Sequence, residues 1–583
     1  MSAATTKLWD EYRAGLEYQS SMGFAADFPV FEAFKEGDQW PAATQRTRNL
    51  PRPVFNIVDM FIRTKRAAIV NQPITIQYTP SEYAADPGAA SLASNGAKDF
   101  TDYARQLWES CEQDELNGEL VDDAATLGTG VLHYFFDSSV RGRGEHPFTG
   151  EIRGETIDPL NIFFGDPQCR NVQRQPYIII AQRVDAEKVR EQAKAEGLAK
   201  DQLKLISGDD RHEHEGYDAA RKELSNRKKV TVLTRYYRKN GAVVYDRCTE
   251  HVEIIRERSL TPDGSAYTIT RYPVVVLNWY KRKKCIFGIG ECQTLIPPQK
   301  AVNFLKAMEL MSAQQTAWPK TIVKPGAINQ PITNEPGEVL TDYCANGTGI
   351  AYLNPPAMSS GASALAQSIF DLMRTVSGVN EVTTGEPIGS NIAASAIIAL
   401  QSQATKPIEE VQSHYWRAIK QVGAIWEELI KAYYNTERNI TTSDISEDDD
   451  PANSTRPFLG AAYADVGFRL SIDVGTSSEY SEALAMSTLD NFLNRGFIDQ
   501  FDYVELAPQN VVPFREQLKK RWADRDAQKQ ALLQQVMAEA QNMAAQPPML
   551  PDAGAEPTGV VHPAGVGGAD LPAIPKAPGL PTP

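Results

Sequence analysis

Between Trp318 and Pro356 the chain carries Pro319, Pro325, Pro331, Pro336, Pro355 and Pro356, and this spacing limits its folding more than any other feature. Each proline fixes φ and removes a backbone donor, so no long helix crosses the stretch and any strand in it must be short. The runs 321–324 and 349–353 have strand composition. A small α/β or all-β tip is expected, because about 40 residues of structureless loop inside a compact protein would be unusual. Helical spacing resumes on both sides. A first helix is expected to open at Pro298, where Val302, Leu305 and Met308 alternate with Asn303, Lys306 and Gln314. So narrow an apolar stripe suits an ordinary amphipathic surface helix, or one that packs sideways against identical neighbours with a polar face to solvent. A second helix is expected over 362–377.

The segment from Gly378 to Ala394 has glycines at 378, 385 and 389 plus Pro387, the chemistry of a mobile turn. No Lys or Arg occurs between Val376 and Thr405, which removes the cations that a phosphate-gripping loop requires. Beyond it a helix opens on Ala393, Ala394, Ser395 and Ala396 and continues to Pro407, which removes one backbone bond and should bend it there. Val411, Tyr415, Ile419, Val422, Trp426 and Leu429 then repeat at helical spacing as a core face.

Nearer the N-terminus, 7–24 has helical spacing with Leu8, Tyr12 and Leu16 on one side. Gly37-Asp38-Gln39-Trp40 is followed by Asn49-Leu50-Pro51-Arg52-Pro53-Val54-Phe55-Asn56-Ile57-Val58, where the prolines impose an extended approach and suit a first helical turn. Val54, Ile57, Val58, Phe61, Ile62 and Ile69 share one helical face. Residues 89–130 are again helical and end in Gly128-Thr129-Gly130. Glycines after a helix and before a strand make a turn, whereas a phosphate cradle needs a strand, then glycines, then a helix. With no Gly-Lys dipeptide in the chain either, a P-loop and ATP-driven translocation are excluded. Strands dominate from 131 to 290, at 131–137, 151–157, 177–184, 229–238, 242–247, 253–258 and 265–277, with a charged helical excursion over 185–219. Asn240-Gly241 marks a tight hairpin, because those residues accept the positive φ values it demands.

Metal-ligating chemistry is concentrated at Asp209, Asp210, His212, Glu213, His214 and Glu215. His212 and His214, two apart, can share a metal only on a strand or in a loop, and the spacing of a helical zinc hydrolase motif is absent. Polar flanks from Ser207 to Asp218 fit a solvated loop, with a structural cation site on the two histidines as the alternative. Asp448, Asp449 and Asp450 are adjacent rather than converging, so two-metal chemistry on nucleic acid is not expected. The six cysteines include no C-x-x-C pair, which argues against a disulfide framework or a zinc ribbon, and Cys285 and Cys292 are expected as buried thiols.

A chain of 583 residues is too long for one hydrophobic core and should form several compact units. Its 59 Lys and Arg against 74 Asp and Glu give a net charge of -15, which argues against a static clamp on nucleic acid. Two readings of the acidity stay open: a surface that DNA slides past without braking, or solubility of a large oligomer. No apolar run has the length of a membrane span, and Met1 to Tyr18 lacks the pattern of a signal peptide. Toward the C-terminus the reading is an acidic loop over 436–459, a strand at 466–474 and helices at 479–495 and 516–543. The stretch 547–583, rich in Pro, Ala and Gly, cannot bury enough apolar surface to fold.

The order of these elements resembles that of portal proteins of tailed bacteriophages, the head-to-tail connectors, of the podovirus type. So do the phrases Gly37-Asp38-Gln39-Trp40, Arg52-Pro53-Val54-Phe55-Asn56-Ile57-Val58 and Asp158-Pro159-Leu160-Asn161-Ile162-Phe163-Phe164, and the glycine turn 285–290 followed by Leu295-Ile296-Pro297-Pro298-Gln299-Lys300. The resemblance spans most of 7–540 and implies a multidomain α+β portal fold. Its parts would be an N-terminal wing segment (1–50), an α+β wing (51–287), a stem helix (288–317), a clip (318–358) and a second stem helix (359–377). A tunnel loop (378–394), a helix kinked at Pro407 with a wing return (395–478), a helical crown (479–545) and a disordered tail (546–583) would follow.

The resemblance further implies a homo-oligomeric ring, usually a dodecamer, at one capsid vertex of the virion, made in the host bacterial cytoplasm. Double-stranded DNA would enter and leave through it, without catalysis and without a cofactor. Glu381, Thr383, Thr384, Glu386, Ile388 and Asn391 would approach the DNA. Lys320, Lys324, Asn329, Glu335 and Glu338 would be exposed to the terminase large subunit and to tail adaptor proteins. Major capsid and scaffolding proteins are the further partners implied, and no membrane. Twelve helices side by side would leave a lumen ~20–28 Å across, wide enough for one duplex. A monomeric or differently assembled capsid scaffold or tail adaptor is the alternative.

Overall fold

A computed structural model describes residues 3–45, 47–72, 74–81, 87–142, 148–209, 229–318, 320–329, 331, 341–344, 349–353, 360–379, 394–441, 455–474 and 479–498, with 503, 506 and 521. Up to Ser487 the chain forms one compact unit, and from Thr488 a second.

The N-terminal apolar spacing produces two helices, α1 (Ala3–Ser21) and α2 (Phe24–Lys35), rather than the single one expected. Gly23, at φ +82°, turns the chain between them. Leu8, Trp9 and Tyr12 of α1 pack on Phe163, Ile179 and Leu233. Leu16, expected on the same face, is exposed, while its neighbour Gly15 lies against the Phe163 ring and buried Gln19 donates to the Pro159 and Ile162 carbonyls. Helix α3 (Ile57–Val70) begins at Asn56, whose side chain accepts the Asp59 N–H at 3.3 Å. Pro51 and Pro53 therefore lie in the extended approach, and Val54 is exposed instead of joining the helical face. Ile57, Val58, Phe61, Ile62 and Ile69 are buried as expected. Strand β1 (Ile74–Pro80) follows, then α4 (Pro87–Ser110) and α5 (Gln113–Leu127). Glu112, at φ +51°, divides what the spacing reads as one helix.

Strands β2 (Thr129–Arg141), β3 (Thr149–Thr156), β4 (Ile162–Phe164) and β5 (Tyr177–Asp185) lead to the helical excursion, α6 (Ala186–Ala195) and α7 (Lys200–Lys204). Strands β6 (Lys229–Lys239), β7 (Ala242–Cys248), β8 (Glu253–Ser259) and β9 (Val274–Asn278) come next. They build a five-stranded antiparallel sheet, β4-β5-β6-β7-β8, and a three-stranded one, β3-β2-β9. The β6–β7 hairpin turns on Asn240 (φ +54°) and Gly241 (φ +84°), the left-handed pair its sequence demands. The strand expected over 265–277 forms only from Val274. Ahead of it Glu428 accepts the backbone N–H groups of Thr270 and Arg271 at 2.8 and 2.9 Å, so those donors are taken by a carboxylate instead of a strand.

Helix α8 (Glu291–Ala317) starts seven residues before the expected Pro298 and carries Pro297 and Pro298 inside it. Burial of Cys292, Leu295 and Ile296 holds this first section helical. Strands β10 (Lys320–Val323) and β11 (Ile350–Leu353) pair antiparallel in the proline-rich insert, and α9 (Ser360–Ser377) returns alongside α8. Helix α10 (Ala394–Tyr433) is continuous through Pro407. Its face Val411, Tyr415, Ile419, Val422, Trp426 and Leu429 is fully buried against α3, α4, β9 and a later strand. The expected acidic loop 436–459 instead contains strands β12 (Arg438–Thr441) and β13 (Thr455–Phe458), paired antiparallel. Buried Ile440 and Phe458 account for them, and Arg438 lies 3.5 Å over the Tyr434 ring while donating to the Gly150 carbonyl at 2.7 Å. That later strand, β14 (Phe468–Val474), pairs antiparallel with β1, Ile74 opposite Val474. Helix α11 (Glu479–Asn494) runs into the second unit, where the Tyr503 hydroxyl donates to Asp490 at 2.6 Å. The architecture is α+β. Of the helix expected over 516–543 and the tail 546–583 only Arg521 is described. No helix among the described residues is long and apolar enough to cross a membrane.

Candidate functional site

The start of α8 is fixed by a buried charge. Glu291 and Lys65 of α3 are both buried, with Nζ 2.5 Å from Oε1. The same Oε1 accepts the Trp279 indole N–H at 2.8 Å and the Tyr280 hydroxyl at 3.2 Å. Burial and the Glu291 charge push the Tyr280 phenol above its ordinary value. Three donors on one carboxylate satisfy a charge that would otherwise be costly to bury, and they join α8 to α3 and to the end of β9.

Two to three turns further along, a chain of amides ties the helix to the N-terminal phrases. Asn303 donates to Gln39 Oε1 at 2.6 Å, and Gln299 donates to the Phe55 carbonyl and to Asn303 Oδ1 at 2.6 and 3.0 Å. Gln39 in turn donates to the Phe34 carbonyl and to Asn56 Oδ1, both at 2.9 Å. The Trp40 indole donates to the Pro53 carbonyl at 3.0 Å. Gln39, Gln299 and Asn303 are all buried. Their amides have fixed partners on three separate segments, so the network sets position as well as affinity. It gives Gln39 a physical role, holding α8 through Asn303, with Asn56 fixing the Gln39 amide.

The glycine turns meet as backbone on backbone. A Cβ on Gly128 (φ +98°) would lie 2.8 Å from the Gly288 carbonyl carbon and from the Gly290 nitrogen. Thr129 accepts the Gly288 N–H at 2.8 Å, and the Trp279 N–H donates to the Gly128 carbonyl at 3.0 Å. No side chain fits between the end of α5 and the approach to α8.

Beyond this junction α8 and α9 pack on each other, yet each keeps apolar residues in solvent. On α8 these are Phe304 and Met308, with Trp318, 72% exposed, just past its end; on α9 they are Leu365, Leu372 and Val376, with Leu372 63% exposed. Offsets of 7 and 11 residues put the α9 three on a single stripe. Val302 is buried, whereas Met308, expected on the same face, is not. The buried stripe runs instead through Leu295, Ile296, Gln299, Val302 and Asn303.

Of the residues expected to meet partners at the tip, Lys320, Lys324 and Asn329 are exposed, Lys320 opening β10. Asp342 shapes this tip by accepting the Cys344 and Gly349 N–H groups at 2.8 and 2.9 Å, which hold its carboxyl below the usual range. Glu335 and Glu338 lie outside the described residues, as do Glu381, Thr383, Thr384, Glu386, Ile388 and Asn391 and the histidines His212 and His214. Pro407 of α10 sits where a Cβ on Gly378 would meet it at 2.7 Å, so the end of the α9 segment abuts the first section of α10. Among the described residues no group of three His, Cys, Asp or Glu is arranged to hold a metal. All six cysteines are free, and burial pushes the Cys292 thiol up to about 12.

One further carboxylate is perturbed near α2. Burial, then Asp158 and Asp122, push Asp123 well above the ordinary range, while Lys35 opposes them. Lys35 itself pairs with Asp122. A carboxyl raised in the fold carries no penalty in acid, where folded and unfolded forms are both protonated. The penalty grows as pH climbs from the ordinary carboxylate value through the folded one. Asp123→Asn should therefore raise the melting temperature at neutral pH and leave it unchanged in acid. A shift of equal size at both pH values would show that charge is not the cause.

The amide network could not be found from apolar periodicity, because its residues are polar and buried. The signal was present only as polar residues at 299 and 303 on the side where α8 must enter the core. A family model described as phage P22-like portal protein matches residues 10–556. No curated protein matches the sequence. The match takes in the 37–40 and 52–58 phrases, the α8 and α9 pair with the two strands between them, and the long helix that follows, and the chain belongs to the family of P22-like phage portal proteins.

Proposed function

We propose that this chain assembles into a closed ring, of about twelve copies by the resemblance, that conducts double-stranded DNA at one capsid vertex during packaging and ejection. The ring docks the terminase large subunit and then tail adaptors through the tip around Lys320, Lys324, Asn329, Glu335 and Glu338. The observation that carries this reading is the uncovered apolar stripe on each of α8 and α9. Monomers rarely leave such surface in water, and a head-to-tail contact between unlike faces of identical subunits closes into a ring. Glu381, Thr383, Thr384, Glu386, Ile388 and Asn391 then approach the duplex from the loop between α9 and α10. The lack of Lys and Arg there suits passage rather than grip.

Mass measurement with negative-stain imaging tests the assembly. A species about twelve times the 64.4 kDa chain, with a central hole, supports it, whereas a 64.4 kDa particle favours a monomeric scaffold or adaptor. Leu372→Asp with Val376→Asp should abolish rings while leaving the melting of the subunit within ~0.5 kcal/mol of the parent, as for exposed sites generally. Rings that persist in that variant would remove the stripe from the interface. Deleting 385–391 should leave rings intact and impair DNA retention; unimpaired packaging and retention would sink the role of that loop.

A further inference from the structure

The turn Lys281-Arg282-Lys283-Lys284 is a run of cations in a chain with net charge -15. It projects between Tyr280 and Ile289, which form a two-residue antiparallel bridge, and its position is fixed from three sides. The Ile286 N–H donates to the Pro167 carbonyl at 2.9 Å, binding the turn to the loop that carries Arg170. Asn278 donates to the Ile286 carbonyl at 2.9 Å. His414 Nδ1 lies 3.2 Å from the Trp279 carbonyl, which brings in the α10 face one turn before Arg417. Lys281, Lys283, Lys284, Arg170 and Arg417 are exposed, and none of them forms an ion pair among the described residues. Arg282 is committed elsewhere, to Gln293 at 3.3 Å and over the Phe24 ring. Glu410 is the carboxylate that acts on this group, and it does not offset the crowding: burial and then Arg417 and Arg170 lower the Lys281 value, and burial and then Lys281 lower His414. Lys284 holds φ +49°, a left-handed conformation unusual for a lysine.

Five cations from three segments, with no ion pair among the described residues, crowd one patch of a chain whose net charge is -15, and an anionic partner would relieve their mutual repulsion. Isolated carboxylates would have been supplied by the chain itself, as they are for Arg235, which has both Glu11 and Asp246. A linear polyanion gains more, because each phosphate neutralised releases a condensed counterion. We propose that this basic knuckle is a contact for the phosphate backbone of double-stranded DNA, separate from the cation-free loop between α9 and α10. The choice of DNA rests on the portal reading above; the clustering of charge does not. In a ring the knuckle recurs once per subunit, so one duplex meets a repeated set of weak contacts that hold by number and yield to salt.

The test is anisotropy of a short labelled duplex titrated with the full chain across about 50–200 mM salt. The variant Lys281→Gln, Lys283→Gln, Lys284→Asn is compared with a charge-matched control, Lys188→Gln, Lys194→Gln, Lys200→Gln, whose lysines are also exposed. Asparagine at 284 keeps the left-handed conformation accessible. The knuckle variant should bind about tenfold or more weakly and lose about three from the slope of log affinity on log salt, one per lysine, while the control stays near the parent. Equal losses in the two variants, an unchanged slope, or no binding by the parent would overturn the proposal. So would binding of polyglutamate, in place of the duplex, with the same lysine dependence. Ring formation is scored on the same samples: rings with an unchanged slope leave the portal reading standing and remove the knuckle, whereas a monomer with a knuckle-dependent slope does the reverse.

Discussion

Glu291→Ala is expected to cost about 3–5 kcal/mol, because it strands the Lys65 ammonium in a site where it has no water. Lys65 is only 2% exposed, and Glu291 is the acidic partner it has there. The substitution also leaves the Trp279 and Tyr280 donors without the oxygen they share. Replacing both charges, Lys65→Met with Glu291→Leu, should recover much of the loss, since removing a buried pair whole is far less harmful than removing half of it. Melting of the two variants reads the energy. Hydrogen exchange over 291–303 reads the location, and should accelerate there before it does in the five-stranded sheet. If the single and double variants melt alike, the pair is not what anchors α8.

Gly128→Val should be the other severe change, at about 3 kcal/mol or more. Its φ of +98° is strained for any side chain, and its Cβ would sit 2.8 Å from the backbone of Gly288 and Gly290; such conformational strain alone costs about 1–3 kcal/mol. Gly241 separates the two contributions, since it has φ +84° with nothing within 4 Å. Gly241→Val should therefore lose only the conformational part. Similar melting temperatures for the two variants would mean that the close approach of the two turns contributes nothing.

What could be read in advance follows from how far apart the cooperating residues are. The α10 face was legible because Val411 to Leu429 repeats within one helix. The β6–β7 hairpin was legible because Asn240-Gly241 encodes its own turn. Leu16 and Val54 misled because helical spacing does not say where the partner surface stops. The start of α8 was missed because two prolines spoke louder than Cys292, Leu295 and Ile296, which become buried only once α3 and β9 are in place. Strand β1 went unseen, as its partner lies beyond residue 460, and Thr455–Phe458 was read as loop because the acidic run before it dominates the composition. At the site the asymmetry is the same. The phrases at 37–40 and 52–58 pointed to a family, but their shared task, holding Gln299 and Asn303, needs the folded distance between them. The basic turn 281–284 is four successive cations in the sequence. Arg170 and Arg417 joined it only in three dimensions.

The pairing of β1 with β14 sets a timetable. Ile74 faces Val474, and Tyr78 donates to the Gly423 carbonyl at 2.8 Å, so this part of the core cannot close until the ribosome has passed residue 474. At ordinary synthesis speeds that leaves β1 waiting on the order of 20–80 s without its neighbour, a task for chaperones. A chain cut short by a nonsense codon before β14 never completes the sheet. Interrupted products would thus betray themselves by an unpaired edge, and the act of folding certifies each subunit through residue 474.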